Sequence, residues 1–213
     1  MKRIKFFCTI LICLVLLLAC TSNKSYRTEE TPMDHKPFIY IYPESELDVT
    51  IKVSDPEKFS VTYPLYNNGW NVKALQDGTL IADNKQYYGL YWEGRGHPKI
   101  SHNYGFVVRK DEITNFLEEK LTILGLDWKE RNEFIIYWLP QLISNKYTFI
   151  TFAKQKDIEE YMGLEINPQP ETLIRIFMFA KKVDKDYVFE KQVLTPVERT
   201  GYTVVEWGGS IEK

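Results

Sequence analysis

The residues best suited to chemistry in this 213-residue sequence are carboxylates that lie beside aromatic side chains. Glu93 follows Trp92 at the end of an aromatic segment and precedes Gly94, a residue that leaves room for a ligand. Glu133 and Glu206 are candidate second carboxylates. Because paired carboxylates perform glycoside hydrolysis, one hypothesis is a glycan-active hydrolase that uses Glu93 with Glu133 or Glu206.

The candidate binding residues are aromatic rings that could stack on a sugar. They are Trp70, Trp92, Tyr137 and Trp207. The rings and the acids each also have a structural interpretation. Tryptophans in a domain without disulfides usually fill the core. A glutamate at a strand end is usually solvated or bonded to a backbone amide. Glu133, which shares a helix face with Tyr137, could simply stabilise the start of a helix through its dipole.

A possible metal set consists of Glu93, His97 and His102. Two imidazoles and a carboxylate could hold zinc, which would indicate a metal-dependent hydrolase. Their spacing fits no zinc motif, and solvent-exposed loop histidines are the simpler interpretation. We therefore predict no metal and no cofactor, with these three residues as the metal alternative. The sequence also lacks the Gly-x-Ser-x-Gly elbow, the phosphate-binding loop and the dinucleotide fingerprint.

The N-terminus predicts export from the cytoplasm. Lys2, Arg3 and Lys5 precede an uncharged apolar run over residues 6–19. A basic segment, a short apolar segment and a small residue before the cleavage point form a secretory signal. As a helix the run would span about 21 Å, which is shorter than the ~30 Å hydrocarbon core of a membrane. A permanent transmembrane helix is therefore disfavoured.

The end of this run, Leu17-Leu18-Ala19-Cys20, resembles the lipobox of bacterial lipoproteins. The resemblance implies that Cys20 receives diacylglycerol, becomes the first residue of the mature protein and carries acyl chains such as palmitate. Two or three chains anchor a protein far more firmly than one. It also implies that the protein lies in the bacterial cell envelope, lipid-anchored on the extracytoplasmic side of a membrane.

Composition narrows the possible chemistry of the mature chain. Cys8 and Cys13 leave with the signal, so only the lipidated Cys20 remains. Disulfides, cysteine nucleophiles and thiolate metal sites are therefore excluded. Removal of the signal lowers Lys+Arg from 27 to 24 against 29 Asp+Glu, a net charge of about −5. This balance argues against nucleic acid as a partner, because binding to phosphates needs a basic surface.

The hydrophobic periodicity predicts an α+β fold. Alternation over residues 47–53 and 59–63, with turns at Asn67-Asn68-Gly69 and Asp77-Gly78, predicts an antiparallel, sandwich-like β unit over residues 38–93. A final strand of this unit is expected over residues 87–93, followed by a loop over residues 94–98. Helical spacing over residues 113–124 predicts a helix that ends at Gly125.

A second helix should begin at Asp127, because Glu130 completes a capping box, and Pro140 should end or kink it. The two helices should form an αα-hairpin. Further strands of a mixed sheet are expected over residues 147–153, 173–180, 187–193 and 202–207, after which Gly208-Gly209 should release the C-terminus. The predicted organisation is a signal (1–19), a flexible tether (20–36) and one α+β domain (37–213), which could divide near residues 94–103.

Several motifs run through this domain. They are Lys36-Pro37, Ile39-Tyr40-Ile41-Tyr42-Pro43, Thr62-Tyr63-Pro64, Gly69-Trp70, Trp92-Glu93, Asn132-Glu133-Phe134-Ile135, Tyr137-Trp138-Leu139-Pro140 and Val205-Glu206-Trp207-Gly208-Gly209. Over residues 36–209 this pattern resembles a family of uncharacterised, mostly bacterial proteins. The resemblance implies no assigned activity.

The sequence therefore favours a lipid-anchored envelope protein whose domain binds or scaffolds an envelope component. Its expected partners are the membrane, through Cys20, and an envelope protein or glycan. The glycan hydrolase and the metal-dependent hydrolase remain as alternatives.

Overall fold

A computed structural model describes residues 33–212, so the predicted signal, Cys20 and most of the predicted tether lie outside the described residues. The described chain has the predicted α+β fold, with strands in two sheets and three α-helices. The strands are β1 (Met33–Tyr42), β2 (Leu47–Val53), β3 (Phe59–Tyr63), β4 (Trp70–Ala74), β5 (Leu80–Ala82), β6 (Lys85–Tyr87), β7 (Leu90–Arg95), β8 (Tyr104–Arg109), β9 (Tyr147–Phe152), β10 (Leu164–Asn167), β11 (Thr172–Lys182), β12 (Glu190–Lys191) and β13 (Thr203–Glu212). The helices are α1 (Ile113–Ile123), α2 (Trp128–Leu142) and α3 (Gln155–Tyr161), and a 3-10 turn spans Pro56–Lys58.

The larger sheet is mixed and has eight described strands in the order β12-β8-β9-β11-β13-β1-β7-β3. Its centre is built from the long strands β11, β13 and β1, of which β11 and β13 run parallel and β13 and β1 antiparallel. The apolar character of β11 on both faces agrees with its central place. Strands β7 and β8, on either side of residues 94–103, belong to this same sheet.

The smaller sheet, with the order β10-β2-β4-β5-β6, is antiparallel and packs on one face of the larger sheet. Helices α1 and α2 cover the other face, whereas Tyr161 of α3 packs against the core between the sheets. Because successive side chains of a strand point to opposite faces, β1 serves two cores. Phe38 and Tyr40 pack under the helices, whereas Ile39 and Ile41 pack between the sheets. The larger sheet is thus the middle of three layers.

The predicted αα-hairpin is present as α1 and α2. Gly125 has a φ of +89°, the left-handed conformation expected where α1 ends. Asp127 caps α2 by accepting hydrogen bonds from two backbone amides, and Glu130 completes the capping box. Pro140 does not end α2, which continues to Leu142.

Several predicted boundaries were wrong. Residues 87–93 are not one strand, because β6 ends at Tyr87 in the smaller sheet and β7 begins at Leu90 in the larger one. Strand β7 continues to Arg95, into the predicted loop. Only Glu190–Lys191 is strand within residues 187–193. Strand β1 begins at Met33, within the predicted tether.

The prediction that Gly208 and Gly209 release the C-terminus was also wrong, because both lie buried inside β13. A Cβ on Gly208 would lie 3.1 Å from the Cα of Pro37. A Cβ on Gly209 would lie 2.6 Å from the carbonyl oxygen of Met178 and 2.9 Å from the Trp138 ring. These glycines permit close packing of the sheet rather than an exit from it. None of the helices within residues 33–212 is long and apolar enough to cross a bilayer.

Candidate functional site

An open cleft with a volume of about 820 Å³ lies where the larger sheet, the smaller sheet and α2 adjoin. Half of its described lining residues are tyrosines. The lining residues are Lys36, Phe38, Tyr63, Thr79, Gln86, Tyr87, Tyr88, Gly89, Tyr91 and Tyr137. The volume falls within the range of about 300–1,000 Å³ that is usual for small-molecule sites.

The wall beside β1 is formed where the chain crosses from the smaller to the larger sheet. Gly89 passes so close to β1 that a Cβ there would lie 2.0 Å from the Phe38 ring. This approach stacks the Tyr88 ring on Phe38, with 4.9 Å between the ring centroids and 27° between their planes. Tyr88 is nevertheless 59% exposed. One ring face is therefore fixed by packing while much of the side chain remains open to a ligand.

A second tyrosine pair lines the cleft on the side of β3. Tyr63, the last residue of this edge strand, meets Tyr87 edge to face, with 5.3 Å between the ring centroids. Tyr63 is 64% exposed. An edge-to-face pair holds both rings at defined angles, so this side of the cleft is also preorganised.

Glu93 adjoins the cleft on the helix side of the larger sheet. In β7, Tyr91 and Glu93 alternate with Leu90 and Trp92, which pack in the other core. Burial raises the pKa of Tyr91, and its hydrogen bond to Glu93 raises it further. Burial and the charge of Glu93 likewise raise the pKa of Tyr137. Burial, more than Glu93, raises the pKa of both tyrosines, and both are neutral hydrogen-bond donors.

Glu133 adjoins the cleft from α2, one turn before Tyr137. Its Oε2 accepts a hydrogen bond of 2.9 Å from the Tyr40 hydroxyl, which accepts one of 3.2 Å from Trp207 Nε1. Burial and Glu133 together raise the pKa of Tyr40, so Tyr40 is a neutral donor. Burial and then the charge of Glu133 also raise the pKa of Tyr88 in the cleft wall. The hydrogen bonds from Trp207 to Tyr40 and from Tyr40 to Glu133 fix the orientation of the Glu133 carboxylate.

Lys36 supplies a positive charge beside these acids. Its ammonium lies 5.0 Å from the ring centroid of Tyr137 and 5.5 Å from that of Trp207. Both distances are within the range of a cation–π interaction. The cleft therefore combines aromatic faces, neutral hydroxyls and charges of both signs.

Glu206 is not part of this site, and its pairing with Glu93 was wrong. It lies on the other face of the larger sheet, where its carboxylate accepts a hydrogen bond of 3.0 Å from Trp92 Nε1 and one of 2.7 Å from Arg175 Nε. Arg175 also pairs with Glu159 at 2.7 Å. Both Glu206 and Arg175 are buried. Glu206 therefore neutralises a buried guanidinium and orients a core tryptophan.

The predicted tryptophans do not form a sugar-stacking surface. Trp70 and Trp92 are each 2% exposed and Trp207 is 0% exposed, so the structural alternative applies to all three. Trp70 donates from Nε1 to the carbonyl oxygen of Pro64 at 2.9 Å. Of the four predicted binding residues, only Tyr137 lines the cleft. The tyrosines at positions 63, 87, 88 and 91 were not predicted as site residues. Proximity to Gly89 in the sequence was a signal for Tyr87, Tyr88 and Tyr91, but not for Tyr63.

The possible metal set is not brought together. His97 and His102 both contact the ring of Phe179, at centroid distances of 6.2 and 5.1 Å. Phe179 alternates with Met178, which packs under the helices, so these histidines lie on the opposite face from Glu93. Burial lowers the pKa of His102. Across residues 33–212, no group of three His, Cys, Asp or Glu side chains could hold a metal ion.

Comparison with known proteins adds little to this geometry. No protein-family model matches the chain, and no solved structure matches it. A protein of Butyrivibrio fibrisolvens, described as "Uncharacterized protein in bglA 3'region", is 28% identical over 81 residues. The match covers 37% of this chain and 81% of that protein. Since the relative is itself uncharacterised, a function must be inferred from the site.

Proposed function

We propose that this chain is a lipid-anchored protein of the bacterial cell envelope whose domain binds an envelope component in the tyrosine cleft. The single observation that carries the binding role is the concentration of five tyrosines around one open cavity of about 820 Å³. Such rings offer large, rigid contact areas with little loss of conformational entropy on binding. The anchoring role rests on the lipobox-like sequence that ends at Cys20.

The anchor is tested by fractionation of cells that produce the full chain or its Cys20→Ala variant. We expect the full chain in the membrane fraction, with diacylglycerol on residue 20, and the variant unlipidated. Mass spectrometry of the purified N-terminus reads the modification directly. A membrane-bound protein with an intact Met1, or with a free thiol on Cys20, would refute lipidation.

Binding is tested with the mature chain, residues 20–213, carrying Cys20→Ala so that no acyl chain contributes. Envelope fragments are coupled to beads and the retained protein is measured. We expect retention that falls at least tenfold in the double variant Tyr63→Ala, Tyr88→Ala. Both side chains are more than half exposed, so the fold should tolerate their removal. Equal retention of both proteins would exclude the cleft as the binding site.

A glycan hydrolase is the second candidate, and one observation favours it. Glu93 and Glu133 both raise the pKa values of tyrosines that line the cleft, so two carboxylates adjoin one aromatic site. Two acids that flank a glycosidic bond could supply a proton and a base or nucleophile. The test is the release of reducing ends from envelope polysaccharide. Release that is lost in both Glu93→Gln and Glu133→Gln would establish hydrolysis, whereas retained binding without release would leave a binding protein.

A further inference from the structure

We infer that the tyrosine cleft binds a short, uncharged segment of a glycan. This inference rests on the proposed binding function and specifies its ligand. The sugar rings would stack on the exposed faces of Tyr63 and Tyr88, and their hydroxyls would pair with the polar groups around the cleft. Three features of the lining support this chemistry.

The first feature is that, among the residues that the structure describes, none of the lining side chains is Ala, Val, Leu or Ile. A pocket for an acyl chain gains its affinity from burial of apolar surface, and it would be expected to be enclosed and aliphatic. This cleft is open and is built from aromatic rings whose hydroxyls need polar partners. The C–H face of a pyranose suits the electron-rich face of an aromatic ring, and its edge suits the hydroxyls.

The second feature is the presence of two carboxylates next to the lining residues. Glu93 lies two residues after Tyr91 on the same face of β7, and Glu133 lies one turn before Tyr137 on α2. Ionised carboxylates can only accept hydrogen bonds. Aromatic grooves also bind proline-rich peptides, but proline has no N–H to donate. Glu133 accepts a hydrogen bond from the Tyr40 hydroxyl and Glu93 is bonded to Tyr91, but each carboxylate has further acceptor positions. A proline-rich segment offers few donors for these positions, whereas a sugar presents several hydroxyl donors on one ring.

The third feature is the balance of charge. The Lys36 ammonium lies over Tyr137, close to a wall whose tyrosines interact with Glu93. Charges of opposite sign at one site oppose the accumulation of a strongly anionic or cationic ligand. Gln86 and Thr79, which also line the cleft, are neutral groups that can both donate and accept. An uncharged polyhydroxyl ligand matches this mixture.

The decisive experiment uses the bead-bound envelope fragments after selective chemistry. One sample is treated with trifluoromethanesulfonic acid, which cleaves glycosidic bonds and spares peptide bonds. A second sample is treated with proteinase K, and a third is extracted with chloroform and methanol. We expect retention of the mature Cys20→Ala chain to fall at least tenfold in the first sample and to persist in the other two.

Variants show whether the retained protein uses the cleft. Tyr88→Ala should weaken retention about tenfold, whereas Tyr88→Phe, which keeps the stacking ring, should stay within about threefold of the parent. Tyr104→Ala is the matched control, because Tyr104 is 45% exposed and lies in β8, five strands from β7 in the sheet. It should bind as the parent does.

The outcomes separate the two proposals. Retention that depends on Tyr88 but survives deglycosylation and disappears after proteinase K would mean a protein ligand, and would overturn the glycan inference alone. Loss of retention only after solvent extraction would mean a lipid ligand, with the same consequence. Retention that is unaffected by Tyr88→Ala would overturn both the inference and the proposed binding function of the cleft.

Discussion

Substitution of Glu206 by glutamine tests whether this acid is structural. The Glu206 side chain is 5% exposed and accepts hydrogen bonds from two fixed donors, Trp92 Nε1 and Arg175 Nε. Glutamine has one acceptor oxygen and one donor nitrogen at the same positions. Either orientation of the amide therefore sets an N–H group against one of the two donors. The Arg175 guanidinium, 1% exposed, would also lose its buried counter-ion.

The expected cost is large because the guanidinium stays buried. Removal of one partner of a buried ion pair typically costs about 3–5 kcal/mol. For a protein of this size each kcal/mol lowers the melting temperature by roughly 2–4 °C. Glu206→Gln should therefore lower the melting temperature by about 6–20 °C. Urea unfolding followed by tryptophan fluorescence should show the same loss as a lower midpoint at an unchanged slope.

Two further variants isolate the buried pair. Glu159→Gln removes the other partner of Arg175, but Glu159 is 50% exposed, so its loss should cost less than about 1 kcal/mol. The double variant Arg175→Met, Glu206→Gln also removes the buried guanidinium that has lost its partner Glu206. It should be more stable than the sum of the single losses predicts, since contacting residues are coupled by about 0.5–3 kcal/mol.

The reasoning is refuted if Glu206→Gln unfolds within 1 kcal/mol of the parent protein, or if it costs no more than Glu159→Gln. Either result would mean that Arg175 is hydrated or paired elsewhere in solution. If the fold is unchanged while glycan release disappears, Glu206 would regain a catalytic role that its position on the far face of the sheet does not support.

Two stability predictions follow from local geometry. Gly209→Ala should cost about 1–3 kcal/mol through overpacking, because its Cβ would lie 2.6 Å from the carbonyl oxygen of Met178. Gly163→Ala is the control, since the nearest atom is the flexible Glu159 carboxylate at 3.1 Å, and equal urea midpoints for the two variants would contradict the packing argument. Asp127→Ala should cost about 0.5–2 kcal/mol by removing the cap of α2, and an unchanged melting temperature would show that the cap contributes nothing.

The parts of the fold that the sequence predicts correctly are those with local causes. The alternation over residues 47–53 gives β2, and the helical spacing over residues 113–124 gives α1. The reciprocal bonds of Asp127 and Glu130 form within one turn, so the capping box is visible in the sequence. None of these features requires a distant part of the chain.

The errors concern features that depend on a distant neighbour. Gly208 and Gly209 have the composition of a flexible end, and only the approach of Pro37 and Trp138 shows that they are packing positions. The break at Tyr88 occurs because the chain changes sheets there, although the aromatic residues around it suggest one continuous strand. Residue type therefore indicates a local conformational preference, but it does not show which distant residue packs against that position.

The same limit explains why the sequence predicted Glu93, Glu133 and Tyr137 but not the other four tyrosines of the cleft. Strands β1, β7 and β13 of the middle sheet each supply two cores, so adjacent residues such as Trp92 and Glu93 separate onto opposite faces. Four of the five tryptophans, Trp70, Trp92, Trp138 and Trp207, fill the closed cores between layers, whereas Trp128 is 62% exposed. The cleft lies towards the β3 edge of the sheet, where Val61 and Tyr63 remain 46% and 64% exposed. A solvent-exposed surface that must also bind a ligand suits tyrosine better than tryptophan or leucine. The tyrosine ring offers an apolar face to the ligand. Its hydroxyl is hydrated in the free protein and can bond the ligand when that water is displaced.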